Sequence, residues 1–173
     1  MKSKREWDRA REGFREALDN LLAAELKSVR NELLVKVADN GISLLSFTET
    51  VIEFWHLWLK VDRSFVCDMK DGKVIAGWNR GKNIVKLQDW HEHYVPLEDD
   101  RTLQAALESD DLIAAPVDGE GADLAFSIRF PDGNFWLVVL DETNVARLFT
   151  PRDMAHIEMA RDLILIKARL LGS

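Results

Sequence analysis

The chain has 173 residues, 47% of them hydrophobic, six tryptophans and a formal charge of −7. That length fits one domain with room for a helical appendage, and the acidic balance, with no Lys/Arg stripe interleaved with aromatics, argues against nucleic-acid binding. The single cysteine, Cys67, excludes an internal disulfide and points to a reducing compartment, and no apolar run approaches membrane-spanning length.

The N-terminus, M-K-S-K-R-E-W-D-R-A, has positive charge but no apolar run behind it, so neither a secretion signal nor an anchor is expected and the location reads as cytoplasmic. Residues 3–39 read as one long helix. Its apolar stripe runs through Trp7, Phe14, Leu18, Leu21, Val29, Leu33 and Val37, and in its charged first half the seam is as narrow as that of a coiled coil. Asp39-Asn40-Gly41 is expected to stop it with a C-terminal glycine. Residues 42–47 read as a connector, and Ser46 with Glu49 as a capping box for a second helix to about Val61. That helix is apolar almost all round, so its His56 reads as a buried histidine with one hydrogen bond rather than a ligand.

Two alternating runs, Arg63 to Lys70 and Lys73 to Trp78, flank Asp71-Gly72 as a hairpin, with Phe65, Cys67 and Met69 on one face and Val66 on the other. Cys67 reads as a small core residue, since no basic neighbour would lower its pKa. A long irregular segment opens at Asn79, and segments of that kind serve as lids or binding loops. His91 and His93 point to the same side of an extended chain, but no carboxylate or cysteine spacing completes a metal site. Asp100 caps a short helix, R-T-L-Q-A-A-L-E, a short strand covers Leu112 to Pro116, and residues 117–123 read as a flexible loop.

Leu124 to Phe130 alternates, placing Ser127 and Arg129 on the face opposite Phe126 and Ile128. The turn Pro131-Asp132-Gly133-Asn134 leads into residues 135–140, apolar on both faces and so a central strand. The last helix has the clearest start in the chain. Thr150 stands at the N-cap, Pro151 at the first helical position, Asp153 can close a capping box, and Phe149 and Met154 can form a hydrophobic staple. It carries two apolar stripes, one with Ile157, Ala160, Ile164 and Ala168, the other with Met159, Leu163, Ile166 and Leu170. The second stripe can serve the N-terminal helix of the same chain or a partner chain; both assignments stand on the sequence.

The order of these elements resembles the GAF domain family. The resemblance rests on R-S-F-V-C-D-M, Y-V-P-L, T-L-Q-A-A-L-E-S-D-D-L-I-A-A-P-V-D, F-P-D-G-N-F-W-L-V-V-L and F-T-P-R-D before a helix ending K-A-R-L, and covers roughly residues 42–171. It implies an α+β fold, GAF-like (related to PAS and profilin), with an antiparallel sheet of five or six strands flanked by N- and C-terminal helices and a ligand cavity on one face. Residues 1–41 would be a dimerisation helix and 42–173 the GAF-like domain. Asn144, Phe149 and Asp153 keep part of the family's cyclic-nucleotide signature, but Val145 and Met154 replace its Lys and Glu; one cysteine is too few for methionine sulfoxide reduction, and Cys67 is not placed for pigment attachment.

The expectation is therefore a small-molecule-sensing or regulatory module, not an enzyme, with no metal and the cofactor unspecified. It would form a homodimer or act through a protein partner, without nucleic acid or membrane. Candidate ligand contacts are Trp78, Trp90, His93, Ser127 and Arg129, between the sheet and residues 79–123: indoles for apolar walls, and polar groups to orient an anionic or carbonyl-bearing ligand. The alternative is an interaction module whose cavity is filled by its own tryptophans.

Overall fold

The structure is a computed structural model that describes residues 4–79, 85–86, 100–117, 121–142 and 148–172. In chain order these form α1 (Lys4–Ala38), α2 (Leu44–Leu59), β1 (Arg63–Asp68), β2 (Lys73–Asn79), β3 (Val85–Lys86), α3 (Arg101–Glu108), β4 (Ile113–Val117), β5 (Gly121–Arg129), β6 (Phe135–Glu142) and α4 (Pro151–Leu171). The strands make one antiparallel sheet in the order β3-β2-β1-β6-β5-β4. β6 lies at its centre, and Trp136 through Asp141 are all buried, as a strand apolar on both faces requires. β5 starts earlier than the alternation of residues 124–130 indicates: Gly121 to Asp123, expected in a loop, pair with β4 instead.

Strand periodicity of two sends successive side chains to opposite faces. One face, with Val66, Leu124, Phe126, Val138 and Leu140, packs against α2, α4 and the second half of α1 in the main core. Trp55 and Phe126 meet edge to face there with centroids 5.9 Å apart. Full burial of side chains of this size stabilises by about 1.5–3 kcal/mol each. The other face, with Phe65, Cys67, Met69, Ala125, Leu137 and Val139, meets Leu103 and Ala106 of α3.

The α4 start is as its sequence predicts. Thr150 Oγ1 accepts from the Asp153 N–H, and the Asp153 carboxylate accepts from the Thr150 N–H at 2.9 Å. Phe149 and Met154 both pack on the main core. Two other helix ends differ from expectation. α2 begins at Leu44, capped by Ser43, whose hydroxyl accepts from the Ser46 N–H; Ser46 lies in the first turn and is not the cap. The reason is local: residues 44–47 are apolar enough to join the buried helix, and Ser43 precedes them. α1 does not end on a left-handed glycine, because Gly41 has no positive φ. Its end is held by Asp39, which accepts from the Gly41 N–H, and by Lys167 of α4. The Lys167 side chain is fully buried and its Nζ donates to the carbonyls of Val37 (3.2 Å) and Asp39 (2.6 Å).

α1 and α4 run parallel, since Arg152 pairs with Glu25 near one end and Lys167 reaches Val37 near the other. Val29, Leu33 and Val37 of α1 are buried in the main core, whereas Phe14, Leu18 and Leu21 in its first half are exposed. The α4 stripes separate as well. Ile157, Ala160, Ile164 and Ala168 are buried with Leu163, and Ile166 and Leu170 face outward.

Candidate functional site

The face of the sheet that meets α3 is where local chemistry departs from a plain core. Antiparallel register sets Arg63 of β1 opposite Asp141 of β6, and Asp141 opposite Asp123 of β5. One end of this face thus carries a row of one guanidinium and two carboxyls, while the next row is Phe65, Val139 and Ala125. Arg63 reaches the nearly buried Asp141 at 2.5 Å and keeps about a third of its own side chain exposed (35%). Burial pushes the Asp141 carboxyl up from the usual carboxylate range, and Arg63 opposes the rise. Asp123, half-buried, is pushed up to about 6, first by burial, then by the charges of Asp141 and Asp100 and by a hydrogen bond with Asp141. Two neighbouring carboxyls on one guanidinium hold a proton more readily than either would alone.

Asp100 closes the same end. Its Oδ1 accepts from the N–H groups of Thr102 (2.8 Å) and Leu103 (3.1 Å), capping α3 where the chain arrives from residues 87–99. The arrangement sets a partly exposed guanidinium, held by Asp141 through Nε and Nη2, and a carboxyl able to donate a proton near neutral pH at the end of an apolar row packed under α3. That chemistry suits a small polar ligand with acceptor oxygens. Among the described residues no group of His, Cys, Asp and Glu side chains is arranged to hold a metal ion.

The sequence-predicted contacts are dispersed. Ser127 and Arg129 do lie on this face, at its other end, where they are engaged by the protein. Ser127 Oγ donates to the Ser109 carbonyl at 3.1 Å. Arg129 donates to the Asp110 carboxylate (2.9 Å) and the Leu107 carbonyl (2.6 Å), with its guanidinium 5.3 Å from the Phe135 ring centre. They fasten the exit of α3 to β5. Trp78 is on the opposite, helical face: its ring lies 6.2 Å from that of His56, and β1–β2 register pairs it with Ser64, the hydrogen-bond partner of His56 Nε2 at 2.8 Å. A bulge in β1–β2 between Val66 and Cys67 shifts the pairing along this hairpin. Trp90, His91 and His93 lie outside the described residues.

Cys67 is buried on the α3 face, and burial with the nearby Asp68 and Asp71 charges raises its thiol to about 11, so it stays protonated near neutral pH. The row Arg63–Asp141–Asp123 was not singled out from sequence. Its parity was legible, since 63 is in phase with 65 and 67, and 141 with 139 and 137; the register that aligns the three was not.

The sequence matches no family model and no curated protein. Solved structures do match. The GAF domain of an Acinetobacter phosphoenolpyruvate-protein phosphotransferase aligns over 86% of this chain and 97% of its own, with a TM-score of 0.61 at 10% identity. The GAF domain from the Coxiella burnetii phosphoenolpyruvate-protein phosphotransferase aligns over 87% and 98%, with a TM-score of 0.62 at 13% identity. The chain has the GAF fold. A phycoerythrobilin-bound GAF domain from a cyanobacterial phytochrome is similar to the same extent, with a TM-score of 0.63, 14% identity and 87% and 97% coverage. The fold is thus shared by domains of enzymes and of photoreceptors, and at these identities fold alone is what the likeness carries. No helix among the described residues is long and apolar enough to cross a membrane.

Proposed function

We propose that this GAF-fold chain is a non-catalytic, cytoplasmic regulatory module that binds a small molecule on the α3 face of its sheet. Its state would pass through α1 and α4 to a protein partner or to its own dimer, with residues 1–41 as the assembly element and 42–173 as the sensing domain. The observation that supports this most is the partly exposed polar row Arg63–Asp141–Asp123 at one end of that face. A ligand with carboxylate or carbonyl oxygens suits Arg63 and a protonated Asp123. Trp90 and His93, in the segment leading to Asp100, remain proposed contacts, while Ser127 and Arg129 hold α3 over the site and Trp78 belongs to the helical side.

Native mass spectrometry of the purified protein, with an absorption spectrum of the same sample, tests this reading. The expected result is a bound mass that weakens in Arg63→Ala; a chain that carries no ligand and takes up none from a carboxylate and carbonyl metabolite panel defeats it. The second reading, a pure interaction module, is favoured by the exposed Phe14, Leu18, Leu21, Leu57 and Trp58 on α1 and α2. It would give the same empty spectrum together with a tight protein complex.

A further inference from the structure

The contact between Asp123 and Asp141 has a chemical requirement of its own. Antiparallel register sets the two side by side on β5 and β6, and their carboxyls share a hydrogen bond. An ionised carboxylate only accepts, so that bond exists only while one of the two carries a proton. Charge balance asks for the same. Asp100 lies close enough that its charge acts on both carboxyls, and Arg63 supplies the opposing charge. The other neighbours add little: β4, on the far side of β5, is I-A-A-P-V, Asp62 donates its backbone N–H to the Asp141 carbonyl, and Arg101 is exposed.

α3 is the element this proton can control. It has eight residues, of which Leu103 and Ala106 are buried. A helix that short depends on its cap and its packing. Its C-terminal end is fastened by Ser127 and Arg129 through the carbonyls of Ser109 and Leu107. Its N-terminal end is held by Asp100, which accepts from the N–H groups of Thr102 and Leu103. We propose that the proton shared by Asp123 and Asp141 is a latch on α3: while it is present the N-terminal end of the helix closes on the sheet, and its loss sets the carboxylates of Asp100, Asp123 and Asp141 against the guanidinium of Arg63 and drives that end away, pivoting on the fastened end. This regulation belongs to the sensing site proposed above and rests on that reading. A carboxyl whose pKa is raised on folding, from 3.8 to about 6 for Asp123, stabilises below 3.8 and loses that contribution as pH rises through 6. α3 is therefore closed in mildly acidic solution and looser above neutrality.

Amide hydrogen exchange of the full chain at about pH 5 and about pH 8, each corrected for the chemical exchange rate at that pH, tests the latch. Protection of residues 102–108 is expected to fall about fivefold or more at the higher pH, while β6 changes by less than about twofold. Asp123→Asn keeps a donor toward Asp141 and cannot ionise, so its α3 should stay protected at both pH values. Asp100→Asn keeps the cap, since Asn and Asp cap equally well, and removes the charge that is repelled, so its response should shrink to about twofold or less. An α3 in the wild-type chain that ignores pH, an equal loss of protection in β6, or a response of wild-type size in either variant overturns the latch. Native mass spectrometry of the same samples keeps the two readings apart. A bound mass with a pH-indifferent α3 removes the latch and leaves sensing intact; a pH-responsive α3 in a chain that neither carries nor takes up a ligand does the reverse.

Discussion

Lys167→Met is the sharpest single perturbation of how α1 is held. The Lys167 side chain has no solvent exposure, and its ammonium bridges the carbonyls of Val37 and Asp39 at the end of α1. The last carbonyls of a helix lack partners and carry partial negative charge, so a buried cation there is compensated by the helix end itself. Methionine keeps much of the volume and removes the charge. Each hydrogen bond to a charged group contributes about 1.5–3 kcal/mol. The relief of no longer burying an ammonium offsets part of the two. The net expectation is a loss of about 3 kcal/mol, concentrated at the α1–α4 contact. Urea melts give the total, and amide hydrogen exchange gives its location: protection should fall in residues 29–38 and at the start of α2 more than in β6. An unchanged midpoint, or a loss spread evenly over the sheet, would refute the reasoning.

Thr150→Ala should cost about 1 kcal/mol in denaturant melts, because both bonds of the α4 capping box depend on that side chain or its setting; no loss would mean the helix is stabilised by its packing alone. Asp123 has its folded pKa raised from 3.8 to about 6, so its contribution is fully present below pH 3.8 and lost as pH rises through 6. Such a rise corresponds to about 3 kcal/mol at most, reduced to about 1 for a half-exposed group. Asp123→Asn should therefore be more stable than wild type by about 1 kcal/mol at pH 8 and equal to it near pH 4; equal curves at both pH values would show that Asp123 and Asp141 do not share a proton. His156 behaves oppositely. Burial lowers its pKa despite Glu25 3.9 Å away, so the unfolded chain takes up the proton first and stability falls as pH drops below 6.5. His156→Gln should flatten that part of the curve relative to wild type, and an unchanged slope would place the titration elsewhere.

The legible parts of this protein are those whose causes lie within a few residues. Thr150-Pro151-x-Asp153 caps α4 because the donor that the Thr150 side chain satisfies is the Asp153 N–H three residues on, and Pro151 has no N–H to satisfy. Residues 135–140 form the central strand because both alternating faces are apolar, and Phe65, Cys67 and Met69 share a face by strand periodicity alone. The long first helix, the hairpin at Asp71-Gly72, the Asp100 cap and the order of elements that resembles GAF domains follow the same way. What the tertiary structure decided is pairing at long range. Register across three strands aligned Arg63, Asp141 and Asp123, residues far apart in the chain, into one charged row, and set Trp78 beside His56 away from Ser127 and Arg129. Helix packing chose which α4 residues face outward, burying Leu163 while leaving Ile166 and Leu170 exposed, and sent Lys167 to close a helix 128 residues earlier. Hydrogen-bond ladders and buried contacts between distant segments carry no local periodicity of their own, so these alignments exist only once the sheet and its helices have assembled.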